Sequence, residues 1–492
     1  MSLHTLDPNP PEPAPLAHAT LDPRTAEVFP MAARALLGDT QLRKNVRHAT
    51  DVIQNKRRIV VGEMPDWQEL RESGKRLREH TMLHLAEYLE QFERNCTAAG
   101  GTVHWARNAA EARQIVVRLA REAGAKEVIK IKSMTTEEIQ LNPALQAAGI
   151  HPYETDLAEL IIQLGHDQPS HIVVPALHKN RQQIREIFRR EMNLPDLGTS
   201  PQDLADAARL FLRDKFLRIP TAVSGANFLI AETGGVCVVE SEGNGRMCLT
   251  LPDTLITIAG IDKVIPRYED LAVLLQLLPR SATGERMNPY NSIWTGVHPS
   301  DGPRNFHVVL LDNARTSILA DPEGRQTLNC IRCGACQNAC PVYRQTGGHA
   351  YGSVYAGPIG AILTPQLMQM EHAQSLPYAS SLCGACYEVC PVKINIPEVL
   401  IHLRNQVVQK KSWADPEALA MAMMAAIFRS ERRFRAAQRL GRIAELPLVR
   451  KDGQGEGWIG WLPGLLGGWT QVRDLQEMPK QTFRDWWEHR KS

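Results

Sequence analysis

"CIRCGACQNACPVY" (residues 330–343) and "SSLCGACYEVCPVKI" (residues 380–394) are two versions of one motif. The first reads Cys-x2-Cys-x2-Cys-x3-Cys-Pro: Cys330, Cys333, Cys336, Cys340 and Pro341. In the second, Cys383, Cys386, Cys390 and Pro391 fill the later places, and Ser380 stands where a first cysteine would fall. This is the spacing that holds iron–sulfur clusters in bacterial two-cluster ferredoxins. Three thiolates at intervals of three wrap one cluster, while the fourth, one turn further on, ligates the other. The proline after it stops the helix and sets the chain direction.

Crossing the fourth ligands gives two unequal sets. Cluster one takes Cys330, Cys333, Cys336 and Cys390. Cluster two takes Cys340, Cys383 and Cys386, which leaves one place without a thiolate. The expected cofactors are therefore a [4Fe-4S] cluster and a second cluster, [4Fe-4S] or [3Fe-4S], with one non-cysteine ligand. Ser380 or Ser381, water or a substrate could complete four irons, or the cluster could hold only three. Hydroxyls are poorer ligands for soft metals than thiolates, which ranks the serines last. Zinc is the competing metal, but a structural zinc takes four ligands and seven are offered. No Cys-x-x-Cys is followed by His, so haem attachment is excluded.

The rest of the composition is that of an ordinary globular protein. The 492 residues are 43% hydrophobic and 22% charged, with a net charge of +2. That balance supplies no field for nucleic acid. Ten cysteines are too few for a disulfide scaffold, and seven of them in two tight clusters point to metal in a reducing compartment, the cytoplasm. The leftover Cys96, Cys237 and Cys248 read as small buried hydrophobes, the latter two within strands. No apolar run reaches membrane-span length, and the proline-rich start lacks the pattern of a secretory signal and reads as a disordered tail.

Along the chain, residues 1–63 form a tail and short helices. A long amphipathic helix starts near Asp66, with Leu85, Leu89, Phe92 and Cys96 on one face. Strands at 102–106, 126–133, 150–155 and 170–176 then alternate with helices, which predicts a parallel sheet covered on both faces in an α/β domain over 64–312. The glycine-bearing stretch 227–251 and the run 254–261 read as hairpin strands, with Gly243-Asn244-Gly245 a turn. A bacterial-ferredoxin-like two-cluster module follows over 313–403, then a helical region over 404–492 with a helix from Asp415 to about Gly441.

The loop between the repeats, "TGGHAYGSVYAGPIGAIL" (346–363), carries glycines that predict close backbone packing against a cluster or a partner, or else a surface connector. His349 and Tyr355 within it read as structural. If the α/β domain binds a ligand, the place is the crevice beyond the carboxyl ends of its strands. Lys132, Ser133, Glu154, Thr155, Asp156, Asn227 and Glu232 lie at such ends. Cations and hydroxyls there could hold a small carboxylate, although helix capping explains most of them. No G-x-G-x-x-G follows a strand, so no dinucleotide cradle of the usual kind is present. Met421, Met423 and Met424 read as core or as a partner-facing helix, and the arginines from Arg429 to Arg442 as a solvated face.

The chain resembles the lactate-utilisation protein B family. The resemblance is carried by "EYLEQFERN" (87–95), "SGANFLIAETGG" (224–235), "GIDKVIPRYEDL" (260–271), the glycine-rich loop, and "LPYASSLCGACYEVCPVKINIPEVL" (376–400). It covers roughly residues 35–440, and the missing eighth cysteine looks like the family's own pattern. It implies that the α/β domain shares the fold of sugar-phosphate isomerases and coenzyme A transferases. It also implies an electron-transfer role in L-lactate oxidation, as a subunit that is not itself catalytic. The implied partners are two other lactate-utilisation proteins, a second cysteine-rich protein and a small α/β-domain protein. Its implied location is the cytoplasm or the inner face of the membrane. The residues alone agree on electron transfer and do not name a substrate. They leave open the iron–sulfur subunit of another 2-hydroxy-acid system, such as glycolate oxidation, and a self-sufficient iron–sulfur oxidoreductase.

Overall fold

Strand–helix alternation between Thr102 and Leu311 builds one six-stranded sheet whose neighbours are all parallel. The structure, a computed structural model, describes residues 21–412, 414–470 and 473–490, so most of the proline-rich tail lies outside it. Among the described residues ten strands precede the cysteine repeats: β1 (Thr102–Ala106), β2 (Glu127–Lys130), β3 (His151–Glu154), β4 (Thr221–Gly225), β5 (Phe228–Ile230), β6 (Gly235–Glu240), β7 (Thr254–Gly260), β8 (Val264–Ile265), β9 (Tyr290–Trp294) and β10 (Asn305–Leu311). The main sheet runs β1-β10-β7-β4-β2-β3. All seven residues of β7, in the middle, are buried. Side chains alternate between faces, so Val309 and Leu311 join one core while Val308 and Leu310 join another. Helices Ala109–Glu122 and Leu141–Ala147 close the first face through Val116, Leu119 and Leu145.

The second face is covered differently. Its core runs without a break from Ile129, Ala222 and Leu255 of the sheet to Leu328, Cys333, Cys336, Val392 and Leu403 of the cysteine module. A four-stranded sheet, β8-β5-β6-β9, contributes Leu229, Val236 and Val264 to the same core. By its internal packing the chain divides into two compact units, one up to Val407 and one from Val408 onward. The repeats thus belong to the unit that contains the sheet.

Four local expectations are corrected. The segment 170–176 is an irregular buried loop, not a strand. Its polar backbone is satisfied by side chains: Ser170 O accepts from Tyr343 Oη at 2.6 Å, Ile172 N donates to Gln337 Oε1 at 3.2 Å, and Val173 N and Val174 N donate to His171 Nδ1, each at 3.0 Å. A short apolar run looks the same in sequence whether its amides are met by a strand or by side chains. Gly243, at φ +85°, opens the helix Asn244–Thr250 in place of a hairpin turn, which also puts Cys248 on a helix. The run 254–260 enters the parallel sheet, leaving β5 and β6 as the hairpin. The helix predicted from Asp66 is two helices, Trp67–Leu83 and Leu85–Ala98, divided at His84.

In the second unit, Asp415 caps the helix Pro416–Phe428 by accepting from Glu417 N and Ala418 N. The helix predicted to reach Gly441 is interrupted at Ser430, and a new one runs Glu431–Glu445. No described residue of Pro416–Phe428 is buried. Met421, Met423 and Met424 are 57%, 62% and 44% exposed, so they do not serve as core. Among the described residues no helix is long and apolar enough to cross a membrane.

One side chain bolts the first unit together. Arg78, 1% exposed on Trp67–Leu83, donates to Val264 O at 2.9 Å, to Leu328 O at 3.1 Å and to Asp262 O. It ties that helix to the turn after β7 and to the approach to Cys330. Arg78→Met would leave three buried carbonyls without donors. It is expected to destabilise the unit by on the order of 3 kcal/mol, read as a lower urea midpoint. An unchanged midpoint would refute the bolt.

Candidate metal centre and adjoining crevice

The two repeats fold alike, residue for residue. In the first, Arg332 N donates to Cys330 Sγ at 3.3 Å; in the second, Leu382 N donates to Ser380 Oγ at 3.1 Å. Both donors sit at positive φ, +61° and +54°. Gly334 and Gly384, at φ +74° and +83°, then open the short helices Ala335–Ala339 and Ala385–Val389. That left-handed step favours glycine and turns the next amides back toward the thiols. Ser380 therefore occupies the place of Cys330, and its hydroxyl holds the same turn.

Cys330, Cys333, Cys336 and Cys390 line one small cavity, together with Ile331, Ile359, Val392, Ile394 and Ile396. The two short helices pack against each other and bring the ends of the repeats together. Cys340, Cys383 and Cys386 form the other group: burial and the neighbouring thiols Cys340 and Cys383 push Cys386 up to about 12. Cys383 is exposed, as are Leu382 and Tyr387, whereas the cavity of the first four is walled by aliphatic side chains. The glycine-rich loop is no surface connector. Residues 357–365 of the helix Gly357–Leu367 are all buried, and the Ile359 amide bonds to the Cys336 sulfur.

The surroundings of the first group suit an anionic centre. Arg71 donates to Cys390 O at 2.8 and 3.0 Å and to Tyr387 O at 3.1 Å. Arg57 donates to Val389 O at 3.0 Å. Their charges lower the Cys390 and Cys333 thiols against the opposing effect of burial. Arg57 Nε and Arg332 Nη1 are buried donors with no hydrogen-bond partner among the described residues. Inorganic sulfide would give them acceptors. A tetrahedral zinc site needs sulfurs about 3.8 Å apart. Among the described residues, the groups of side chains close enough to hold a single ion are Asp167–His178–His349 and Asp321–Glu323–His402, and no cysteine belongs to either. Among the described residues, then, no three thiols lie as close together as the ligands of a single ion would.

The first of these histidine groups is satisfied internally. His178 bonds Asp167 Oδ2 and Ser170 Oγ, each at 2.9 Å, Lys179 pairs with the same carboxylate, and His349 Nε2 donates to Gln168 O at 2.9 Å. Burial holds His349 at about 4, so it is neutral. Its expected structural role stands. Tyr355 donates to Glu138 Oε2 at 2.6 Å and lies 5.1 Å beneath the Arg332 guanidinium.

A crevice of about 230 Å³ opens at the carboxyl ends of the parallel strands. Of the strand-end residues singled out in the sequence, Lys132, Ser133, Asp156 and Asn227 line it. Glu154, Thr155 and Glu232 do not. Glu154 pairs with buried Lys130 at 2.8 Å, Thr155 donates to Lys130 O at 2.9 Å, and Glu232 accepts from Tyr268 N at 2.9 Å. Ser133 and Asp156 also cap helices, as expected. Sequence reasoning missed Lys263, Arg332, Glu240 and Glu242 in the crevice lining. Arg332 lines the thiol cavity as well.

Residues 89–311 match the LUD domain, residues 326–394 a 4Fe-4S dicluster domain, and residues 403–492 the C-terminal domain of lactate utilisation protein B. Lactate utilization protein B 1 of Bacillus mycoides is 43% identical over 454 residues, 92% of this chain and 94% of the relative. The chain belongs to the lactate utilisation protein B family. Lactate utilization protein B of Oceanobacillus iheyensis is also 43% identical, over 87% of this chain and 89% of its own length. A crystal structure of a DUF162 family protein from Deinococcus radiodurans aligns with 46% of this chain and 98% of its own at 15% identity, with a TM-score of 0.25. In this family member, then, a dicluster domain is built into the unit that holds a mixed α/β core.

Thiol reactivity gives a direct check. In the metal-free chain burial pushes Cys390 up to about 11, and Cys96, Cys237 and Cys248 to about 12. Only thiolate is alkylated, so the Cys390 rate is expected to rise about tenfold per pH unit until pH reaches its pKa. At pH 8 exposed Cys383 should react first with iodoacetamide and the three isolated cysteines last, read by peptide mass spectrometry. Early labelling of Cys390 would contradict the burial described.

Proposed function

We propose that this chain is an iron–sulfur electron-transfer component of L-lactate utilisation, and that Cys330, Cys333, Cys336 and Cys390 hold one cluster while Cys340, Cys383 and Cys386 hold another. The observation that carries it is the cavity shared by Cys390 and the first three cysteines of the other repeat. When bound, such clusters accept and release single electrons. The second cluster has either four irons with a non-cysteine ligand at one corner or three irons. Buried Arg71 and half-buried Arg57 and Arg332 offset the negative charge at the first set. Exposed Cys383, Leu382 and Tyr387 give the second set an edge on which a partner protein can lie.

The chain acts as a non-catalytic subunit of an L-lactate-oxidising complex in the cytoplasm, with a second cysteine-rich protein and a small α/β-domain protein. Two protein partners are favoured by two apolar surfaces: the edge at Leu382 and Tyr387, and the helix Pro416–Phe428, where Leu419, Met423 and Phe428 are at least 50% exposed. The α/β part shares the fold of sugar-phosphate isomerases and coenzyme A transferases, a reading supported by its parallel sheet with helices on its faces.

Anaerobically purified protein is expected to be brown, to bleach with dithionite and to carry seven or eight irons per chain. Cys336→Ser should remove one paramagnetic signal and Cys383→Ser the other. Loss of the same signal in both variants would refute the crossed assignment, and a colourless zinc protein would refute the function. Ser380→Cys restores an eighth thiolate. If the second cluster holds three irons, the iron count should rise by about one per chain; an unchanged count indicates four.

A further inference from the structure

Tyr351 stands in the glycine-rich loop, on the single turn His349–Tyr351. It is 2% exposed, and its hydroxyl is buried with no hydrogen-bond partner among the described residues. Folded proteins rarely leave a buried hydroxyl without an acceptor, because the lost bonds to water are not replaced. The backbone around it has no slack to turn the side chain elsewhere. A Cβ at Gly348 would run into the Ser170 backbone, and one at Gly352, at φ +56°, into Ala26. His349 Nε2 donates to Gln168 O at 2.9 Å, and the Tyr351 ring packs on Phe29 with centroids 5.0 Å apart.

The surroundings of that hydroxyl name its acceptor. Burial pushes the phenol far above its ordinary range, and the nearby Cys340, Tyr343 and Cys336, in that order, push it further. No bond joins it to Tyr343, whose own hydroxyl donates to Ser170 O at 2.6 Å. The remaining neighbours are sulfurs, Cys340 of the second set and, with less effect, Cys336 of the first. The two sets differ in what else reaches them. In the first, the Arg332 side chain bonds the Cys330 sulfur, and the charges of Arg57 and Arg71 act on Cys333 and Cys390. In the second, backbone amides do this work: those of Val342 and Tyr343 reach Cys340, and that of Tyr387 reaches Cys386. A side-chain donor at Cys340 is the second set's counterpart of Arg332.

We infer that the Tyr351 hydroxyl donates a hydrogen bond to sulfur at the Cys340 corner of the second cluster, on the thiolate or the sulfide beside it, and raises the reduction potential of that cluster. An added electron makes the cluster more negative, so a donor to its sulfur favours the reduced form. The inference rests on the two-cluster reading above, and it gives the close packing of the glycine-rich loop a purpose: the loop delivers one donor to one corner.

Full-length, anaerobically purified holoprotein is titrated with dithionite in the presence of redox mediators, and both paramagnetic signals are followed. Tyr351→Phe keeps the ring and removes the donor. It is expected to favour the oxidised second cluster about tenfold, a fall of about 59 mV for a one-electron couple. The first cluster is expected to move by less than half as much. Replacing Tyr351 with 3-fluorotyrosine keeps the shape and strengthens the donor. It is expected to shift the same equilibrium about threefold the other way, a rise of about 28 mV. A role in packing alone does not produce opposite shifts. A second potential that moves in neither protein, as when the hydroxyl meets only a buried water, overturns the inference. A larger shift in the first cluster also overturns it, since the bond would then lie on Cys336. Should Tyr351→Phe fail to take up iron, the fluorotyrosine protein decides alone. Wild-type protein without two clusters refutes the two-cluster reading; two full clusters indifferent to Tyr351 refute this inference alone.

Discussion

The helix Trp67–Leu83 meets the second repeat through Arg71, and the rest of the unit depends on that contact. The Arg71 guanidinium holds the carbonyls of Cys390 and Tyr387. Seven residues on, on the same face of the helix, Arg78 holds Val264, Asp262 and Leu328. Gly74 lies between them, and a Cβ there would run into Leu277 and touch Val392. One helix face thus fixes the end of the second repeat and the entry to the first at a single spacing. The thiols can gather around a common centre because their backbones are held from outside by charged donors.

That arrangement also settles how buried charge is managed. Arg315 pairs with Asp262 and Glu138, and Tyr355 donates to Glu138, so the two acids near the strand ends are matched. Arg57, Arg71 and Arg332 lie toward the thiols without a carboxylate of comparable closeness, apart from the 3.4 Å approach of Arg332 to Asp262. A buried excess of positive charge is costly in a low-dielectric interior. It becomes favourable beside thiolates and sulfide, which links the formation of the centre to the packing of the whole unit.

The sheet and the thiols are close neighbours for the same reason. The turn after β7 carries Asp262 and Lys263, and Arg332 reaches across from the first repeat to Asp262. The crevice at the strand ends and the thiol cavity consequently share a wall. The buried loop 170–176 seals another side, its amides bonded to Gln337 and His171 instead of to a strand.

The sequence by itself determined the local geometry: the intervals of three, the glycine that opens each short helix, and the prolines that end them act within a single turn of chain. It also determined that a parallel sheet is present and placed β1, β2 and β3 in it, because strand–helix alternation is a local pattern with a global consequence; β4, β7 and β10, which complete it, were not read as its strands. The equivalence of Ser380 and Cys330 was legible from register alone. Four residues of the crevice were legible as strand ends, while Lys263 and Arg332 were not, since nothing in their own neighbourhoods marks them as lining a cavity. Only the tertiary structure decided that 170–176 is a loop, that the glycine-rich segment is interior, and that Arg71 and Arg78 bridge distant backbones. Those outcomes turn largely on contacts between residues distant in sequence, whose energies come from burial and from the satisfaction of polar groups, and hydrophobic periodicity carries no record of either.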